Sequence, residues 1–153
     1  MEAEILHSGF DGLRFTIQTD IPPTLRDRLF AAKAGAVKNN RDCLIEMGAI
    51  TLAVRRTGGS AFSCHTGDYG AEWYFLDPEN RPANNPGVTV NFRAFLLATG
   101  GLKGAEAHFR DCMAAFGIPS HFKLCFIYSV KIKPTQGSLL MKPHFVCFNS
   151  SHI

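Results

Sequence analysis

Four arginines lie on or beside stretches in which polar and apolar residues alternate, and they are the side chains best suited to chemistry in this sequence. Arg14, Arg55 and Arg93 fall on the polar side of their alternation, and Arg56 follows directly. An arginine fork pairs with phosphate oxygens or with base edges, and the ring of Tyr69 can stack on an exposed base. The set predicts a nucleic-acid contact surface, with a solvated outer sheet face as the alternative explanation of the same spacing.

Residues for covalent or acid–base catalysis are present, but their arrangement does not favour an enzyme. Cys64 and His65 are adjacent in a strand-like stretch, which predicts a buried Cys64 beside an outward His65 rather than a catalytic pair. There is no phosphate-binding P-loop, no Gly-x-Gly-x-x-Gly and no Gly-x-Ser-x-Gly motif. A small ligand-binding or hydrolytic site built from His65, Tyr69 and Glu72 of the central hairpin is the rival hypothesis, so enzymatic activity stays open.

Two groups of residues have side chains of the kind that bind metals. Histidines and cysteines gather towards the end of the chain: His121, Cys125, His144 and Cys147. Carboxylates gather in the centre: Asp68, Glu72, Asp77 and Glu79. The first group lacks two tight pairs at zinc-finger spacing, and two of the carboxylates are at positions that turns favour. We therefore predict no metal and no other cofactor.

The secondary structure that must position these residues follows from hydrophobic periodicity. Alternation predicts strands over residues 13–18, 44–47, 50–54, 61–66, 71–76, 88–93 and 122–133, with a weaker one within 138–146. Helical stripes predict one helix from Pro22-Pro23 to about Lys38 and another from Leu102 to Phe116, after a break at Gly100-Gly101. This order indicates an α+β fold, a mainly antiparallel sheet with two helices packed on one face.

Charge divides the chain into two parts. Residues 1–118 contain 12 Lys and Arg against 13 Asp and Glu, a net of −1, whereas residues 119–153 contain 4 Lys and no acid, a net of +4. We interpret 1–118 as an α+β domain and 119–153 as a basic segment with a final strand and an irregular tail.

The composition also predicts a compartment. No apolar run is long enough to cross a bilayer, and the acidic start Met1–Glu4 differs from a secretory signal peptide. The five cysteines form no close pairs and are expected to be reduced thiols. These features predict a cytoplasmic protein with no membrane partner.

Five short motifs follow one another in a recognisable order: Gly9–Phe15, Ile21–Pro23, Gly58–Phe62, Gly70–Tyr74 and Val88–Ala94. Their order resembles the N-terminal part of plasmid and phage rolling-circle replication initiators, the replication-initiation-factor class. The resemblance covers approximately residues 9–118. It implies a protein of DNA replication that binds origin DNA and nicks it, with a tyrosine attacking a DNA phosphate aided by a divalent metal.

The sequence departs from the resembled family where the metal ligands are expected. The family places them on an acidic strand after the second helix and in a His-apolar-His motif. Here the strand Phe122–Lys133 has lysines and no carboxylate, and His144 is followed by Phe145-Val146. We therefore expect a DNA-binding domain without an intact nicking site. Residues 119–153 are either native in frame or the end of a truncated or frame-shifted reading frame, and the sequence does not decide between the two.

The expected partner is DNA, either origin-like or single-stranded. A non-catalytic protein that binds another protein is a further alternative. The pattern of residues determines neither the DNA sequence that would be recognised nor the oligomeric state.

Overall fold

A computed structural model of the protein describes residues 12–58 and 61–119, together with the backbone of residues 123–127 and 145–148. Its elements, in chain order, are β1 Gly12–Gln18, α1 Pro23–Asn39, β2 Cys43–Met47, β3 Ile50–Val54, β4 Ala61–His65, β5 Ala71–Leu76, β6 Val88–Arg93, α2 Ala94–Phe116, β7 Lys123–Ile127 and β8 Phe145–Phe148.

The strands form one antiparallel sheet in the order β2-β3-β4-β5-β6-β1-β7-β8. Strands β2 to β6 follow one another as neighbours, whereas β1 lies between β6 and β7. The first strand of the chain is therefore internal to the sheet, and α1 carries the chain from β1 to the edge strand β2. This order brings β1 and β6 side by side, with Arg14 opposite Asn91.

Both helices cover the same face of the sheet, because the apolar residues of each strand alternate towards one side. On α1 the buried residues recur at helical spacing: Leu25, Leu29, Ala32 and Ala36. On α2, Phe109 stacks parallel to Trp73 of β5 with ring centroids 5.9 Å apart, and Phe116 meets Trp73 edge to face at 4.9 Å. The predicted α+β fold with two helices on one face is confirmed.

The first helix begins and ends close to where the sequence predicts. Pro23 occupies its first turn, where proline does not interrupt a hydrogen bond, and Asn40 ends it in the left-handed conformation with φ 52°.

The predicted helix from Leu102 to Phe116, after a break at Gly100-Gly101, forms the second part of α2. The break is a kink at Gly101, which has φ 59° and ψ −165°, a conformation that is essentially limited to glycine. The helical segment before the kink, which starts at Ala94 directly after β6, was not predicted. The kink allows both Leu97 before it and Ala105 after it to be buried against the sheet.

Residues 123–127 and 145–148 add two strands to the sheet. β7 pairs with β1, which agrees with the start of the predicted strand 122–133, although residues 128–133 lie outside the described part. β8 pairs with β7 and includes Cys147 and Phe148, which had no recognisable pattern in the sequence. None of the described helices is long and apolar enough to cross a membrane.

Candidate nucleic-acid interface

The face of the sheet opposite the helices carries the polar side chains of the strands, and we call it the open face. Because register partners in an antiparallel sheet share a face, one row runs across six strands. Its members, from β2 to β1, are Leu44, Ala53, His65, Glu72, Asn91 and Arg14. The parallel row beside it contains Arg55, Ser63, Tyr74, Thr89 and Thr16.

Glu72 is the centre of the hydrogen bonding on the open face. Its Oε1 accepts hydrogen bonds from Arg55 Nη2 at 3.0 Å and from Arg93 Nη2 at 3.3 Å. Its Oε2 accepts from the Asn91 amide at 3.2 Å and from the Tyr74 hydroxyl at 3.4 Å. One carboxylate on β5 thus joins the arginine directly after β3 to an arginine of β6, although two strands separate β3 from β6.

The electrostatics of this cluster favour its fully charged form. Burial by itself favours the neutral form of Glu72, but hydrogen bonds from Arg55 and Asn91 and the charges of Arg55 and Arg93 outweigh it. The pKa of Glu72 therefore lies below its ordinary value. The hydrogen bond to Glu72 in turn raises the pKa of Arg55. The two guanidinium groups are held in fixed positions and remain about one-quarter to one-third exposed.

The other two arginines predicted to contact DNA are more accessible. Arg14 is exposed, and its guanidinium lies 6.0 Å from the centre of the Tyr74 ring. Arg56 is exposed just beyond β3. Neither arginine forms an ion pair within the described residues. The structure thus places the four arginines in two classes, two held by Glu72 and two exposed.

Tyr69 lies at one end of the open face together with an aromatic residue that the sequence analysis missed. The Tyr69 ring is 66% exposed and its centroid is 4.4 Å from that of Phe95, which is 50% exposed in the first turn of α2. Arg93 is adjacent, with Nη1 donating to the main-chain oxygen of Asp68 at 3.2 Å. Phe95 is only two residues after Arg93, which could have marked it as part of the same surface. It was missed because the predicted second helix began at Leu102.

The central carboxylates do not form one cluster. Asp77 is buried and accepts a hydrogen bond from Arg26 of α1 at 2.8 Å, while Glu79 pairs with the same arginine at 2.6 Å. This arginine holds the pKa of Asp77 below its ordinary value. The pair ties the loop after β5 to α1, on the side opposite Glu72, so these acids have a structural role.

The described residues contain no group of three or more His, Cys, Asp or Glu side chains arranged to hold a metal ion. The ligands that the resemblance implies would follow α2, outside the described side chains, and no chemical step is assigned through a metal. His121 and His144 lie outside the described residues, and only the backbone is described at Cys125 and Cys147, which are register partners on β7 and β8.

The Cys64–His65 pair is divided between the two faces, as the alternation predicts. Cys64 is fully buried on the core face, and burial raises its pKa to about 12, which leaves it a thiol. His65 lies half-buried on the open face with Nε2 3.4 Å from Asp42 Oδ2.

Two of the three residues of the rival site are neighbours across strands. His65 and Glu72 are register partners, and both oxygens of Glu72 accept hydrogen bonds. The Tyr69 ring lies against Phe95.

Comparison of the chain with protein-family models, with curated proteins and with solved structures found no match.

Proposed function

We propose that the open face binds single-stranded DNA, and that the protein is the DNA-binding part of a replication-initiator-like protein without a nicking site. The observation that carries the proposal is the position of Arg14, Arg55 and Arg93 on the side of the sheet away from both described helices, with Arg56 next to Arg55. Arg55 and Arg93 are fixed by Glu72, while Arg14 and Arg56 are exposed and free of ion pairs within the described residues.

The fixed arginines are well suited to phosphate groups. A guanidinium has five N–H donors in one plane, and each arginine uses only its Nη2 to bind Glu72. Because the carboxylate already restricts both side chains, little side-chain entropy remains to be lost when a phosphate binds.

Two features favour a single strand over a duplex. The exposed pair Tyr69 and Phe95 can stack only on bases that are not paired within a helix. Both helices pack on the opposite side of the sheet, so neither projects from the open face into a major groove. An open antiparallel sheet that carries arginines and aromatic rings provides a platform for unstacked nucleotides.

The motif order that resembles rolling-circle initiators supports DNA over RNA as the partner. A cytoplasmic location agrees with this role and with the three described cysteines, which are all free thiols. The proposal covers binding only and assigns no cleavage step.

The proposal is tested by measuring the affinity for a short single-stranded oligonucleotide, and for a duplex of the same sequence, across a salt series. We expect single-strand binding that weakens with salt, since each phosphate contact contributes a slope of about −0.7. Arg14→Ala and Arg56→Ala should each weaken binding and reduce the slope by roughly one contact. Failure to bind either DNA at low salt would refute the proposal.

Arg110→Ala is the matched control, because Arg110 is exposed on α2 and pairs with Glu106 away from the open face. It removes the same charge and should leave the salt slope unchanged. Equal losses from Arg110→Ala and Arg14→Ala would indicate general attraction to the protein rather than binding at the open face.

The aromatic pair gives a second, independent test. Tyr69→Ala and Phe95→Ala should each weaken binding of the single strand by about tenfold, as expected for the loss of one stacked base. Their effect should persist at high salt, where the arginine contribution is screened. Phe30→Ala, at an exposed phenylalanine of α1, is the control and should leave the affinity unchanged.

A further inference from the structure

A cavity lies beside the end of β3 that extends past β4, between the open face and α2. β3 pairs with β2 over its whole length, but it pairs with β4 only at Ala53–His65 and Val54–Cys64. β4 ends at His65, so residues 50–52 of β3 extend beyond it, and the space beside them, which we call the fork, has a volume of about 260 Å³. The residues that line it are Leu44, Ala49, Ile50, Thr51, Ala53, His65, Thr66, Gly67 and His108.

The main chain of β3 is unpaired inside this fork. Arg55 N–H donates to the Ser63 oxygen at 2.8 Å, so the main-chain groups of Arg55 point towards β4. In an antiparallel strand the main-chain N–H and C=O groups of successive residues point to alternate sides. Thr51 is four residues before Arg55, so its N–H and C=O point to the same side as those of Arg55. The ladder with β4 has already ended at Ala53. Thr51 therefore presents one N–H donor and one C=O acceptor to the fork.

The walls of the cavity are mainly apolar. Leu44 lines it with 67% of its surface exposed. His108 lies on the α2 side, where its Nε2 is 2.9 Å from the Thr66 hydroxyl, and burial lowers its pKa and keeps the imidazole neutral. A volume of this size lies just below that of pockets for drug-sized ligands and suits one flat ring system.

The cavity is continuous with the arginine surface. Ala53 and His65, which line it, belong to the register row that continues through Glu72 and Asn91 to Arg14. Neighbouring strands are about 4.8 Å apart, so the three steps from β4 to β1 cover roughly 14 Å. A strand of two or three nucleotides spans that distance, which makes the cavity reachable from phosphates held by the arginines.

We infer that this fork is a nucleobase pocket, in which one base of the bound single strand inserts its ring between Leu44 and the histidine rings. The edge of the base forms hydrogen bonds with the main-chain N–H and C=O of Thr51, as a neighbouring β-strand would. The inference rests on the proposed function, because the strand is brought to the pocket by the arginines. It adds a direction to the binding, with the nucleic acid crossing the β-strands from Arg14 towards the fork.

The first experiment fills the pocket. Ala49 is exposed in the turn between β2 and β3, so Ala49→Trp places a ring in the cavity without disturbing the core. We expect about tenfold weaker binding of a single-stranded oligonucleotide and no change for an abasic strand of the same length. Ala34→Trp, at an exposed position of α1, is the matched control and should change neither affinity. An unchanged affinity for the oligonucleotide in Ala49→Trp would overturn the inference.

The second experiment observes the pocket in the unmodified protein. A titration with a free nucleoside, followed by amide NMR, should move the Thr51 amide signal downfield as its N–H gains an acceptor. Shifts confined to the arginine side chains, with Thr51 unmoved, would refute the pocket.

The two experiments separate failure of the pocket from failure of the proposed function. If the protein binds both the oligonucleotide and the abasic strand and Ala49→Trp has no effect, the proposed arginine surface stands and the pocket is refuted. Absence of binding to either strand removes the proposed function, and the response of Thr51 to the nucleoside then decides on the pocket alone.

Discussion

The two faces of this sheet are made from the same strands, yet they are organised by different forces. On the core face, side chains such as Trp73 and Phe75 are completely buried and are held by packing against α1 and α2. On the open face, their neighbours Glu72 and Tyr74 are half-exposed and are held by hydrogen bonds across strands. Packing tolerates no lost volume, whereas a hydrogen-bonded polar surface can exchange a protein partner for a ligand.

The largest expected difference between the faces is at two adjacent residues of β5. Trp73→Ala should lower the free energy of unfolding by about 3–5 kcal/mol, because it leaves a cavity among Phe75, Phe109 and Phe116. Tyr74→Ala should lower it by about 1 kcal/mol. Urea-induced unfolding of both variants measures this, and equal losses would contradict the distinction between the faces.

The helical cover of the core face can be tested at the kink of α2. Gly101→Ala should destabilise by about 1–3 kcal/mol, because alanine does not tolerate the conformation at φ 59° and ψ −165°. Gly104→Ala is the control in the same helix, where a Cβ would meet open space. It should stabilise by about 0.5–1 kcal/mol through higher helix propensity. Thermal unfolding of the two variants measures whether each is less or more stable than the unmodified protein. An unchanged stability of Gly101→Ala would mean that α2 can straighten at no energetic cost.

On the open face, the charge of Glu72 should make a smaller contribution that depends on pH. Glu72→Gln should cost about 1 kcal/mol at neutral pH, since the amide cannot accept all four hydrogen bonds. The pKa of Glu72 is lowered in the folded state, so this contribution is complete above the ordinary glutamate value. It is lost as the pH falls through the lowered pKa.

The measurement for Glu72 is unfolding of both proteins by urea over a range of acidic pH. Their stabilities should converge as the pH falls, because protonated Glu72 resembles glutamine. Glu106→Gln on the exposed surface of α2 is the control and should change stability by less than about 0.5 kcal/mol. A difference that stays constant with pH would show that Glu72 acts through shape rather than charge.

The smallest expected effect is at His108, which approaches the fork from the core side. Burial lowers the pKa of His108 below its ordinary value of 6.5, so the unfolded chain takes up a proton before the folded one does. Stability should therefore decline as the pH falls below about 6.5. In His108→Gln that part of the decline should be absent. If the stability of both proteins changes with pH in the same way, the half-buried His108 imidazole does not have a lowered pKa.

How far the sequence predicted the fold depends on whether a feature is local. Strands β1 to β6 and α1 were predicted from periodicity and turn residues, because alternation and capping act over a few neighbouring positions. The break at Gly100-Gly101 and the helix after it were also predicted, whereas the helical segment from Ala94 to the break was missed. β8 was missed at Cys147 and Phe148 because a short strand needs its partner β7 to be recognisable.

The candidate site was predicted in its members more than in its organisation. Arg14, Arg55 and Arg93 lie on the open face, with Tyr69 at one end of it and Arg56 next to Arg55, but the sequence offered no reason to expect two of the arginines to share one carboxylate. Phe95 and the fork at Thr51 were missed, because each depends on where a strand pairing ends.

The sequence by itself determined which residues are buried and which are polar on each strand, because side chains alternate with a period of two whatever the neighbours are. Only the tertiary structure decided the order of the strands, and with it which polar residues meet. Glu72 is on β5 and Arg93 on β6, while Arg55 directly follows β3. These residues meet only because the register between strands is set by the whole sheet. The chemistry of the open face is therefore a property of that register, and its alternating pattern is a property of the chain.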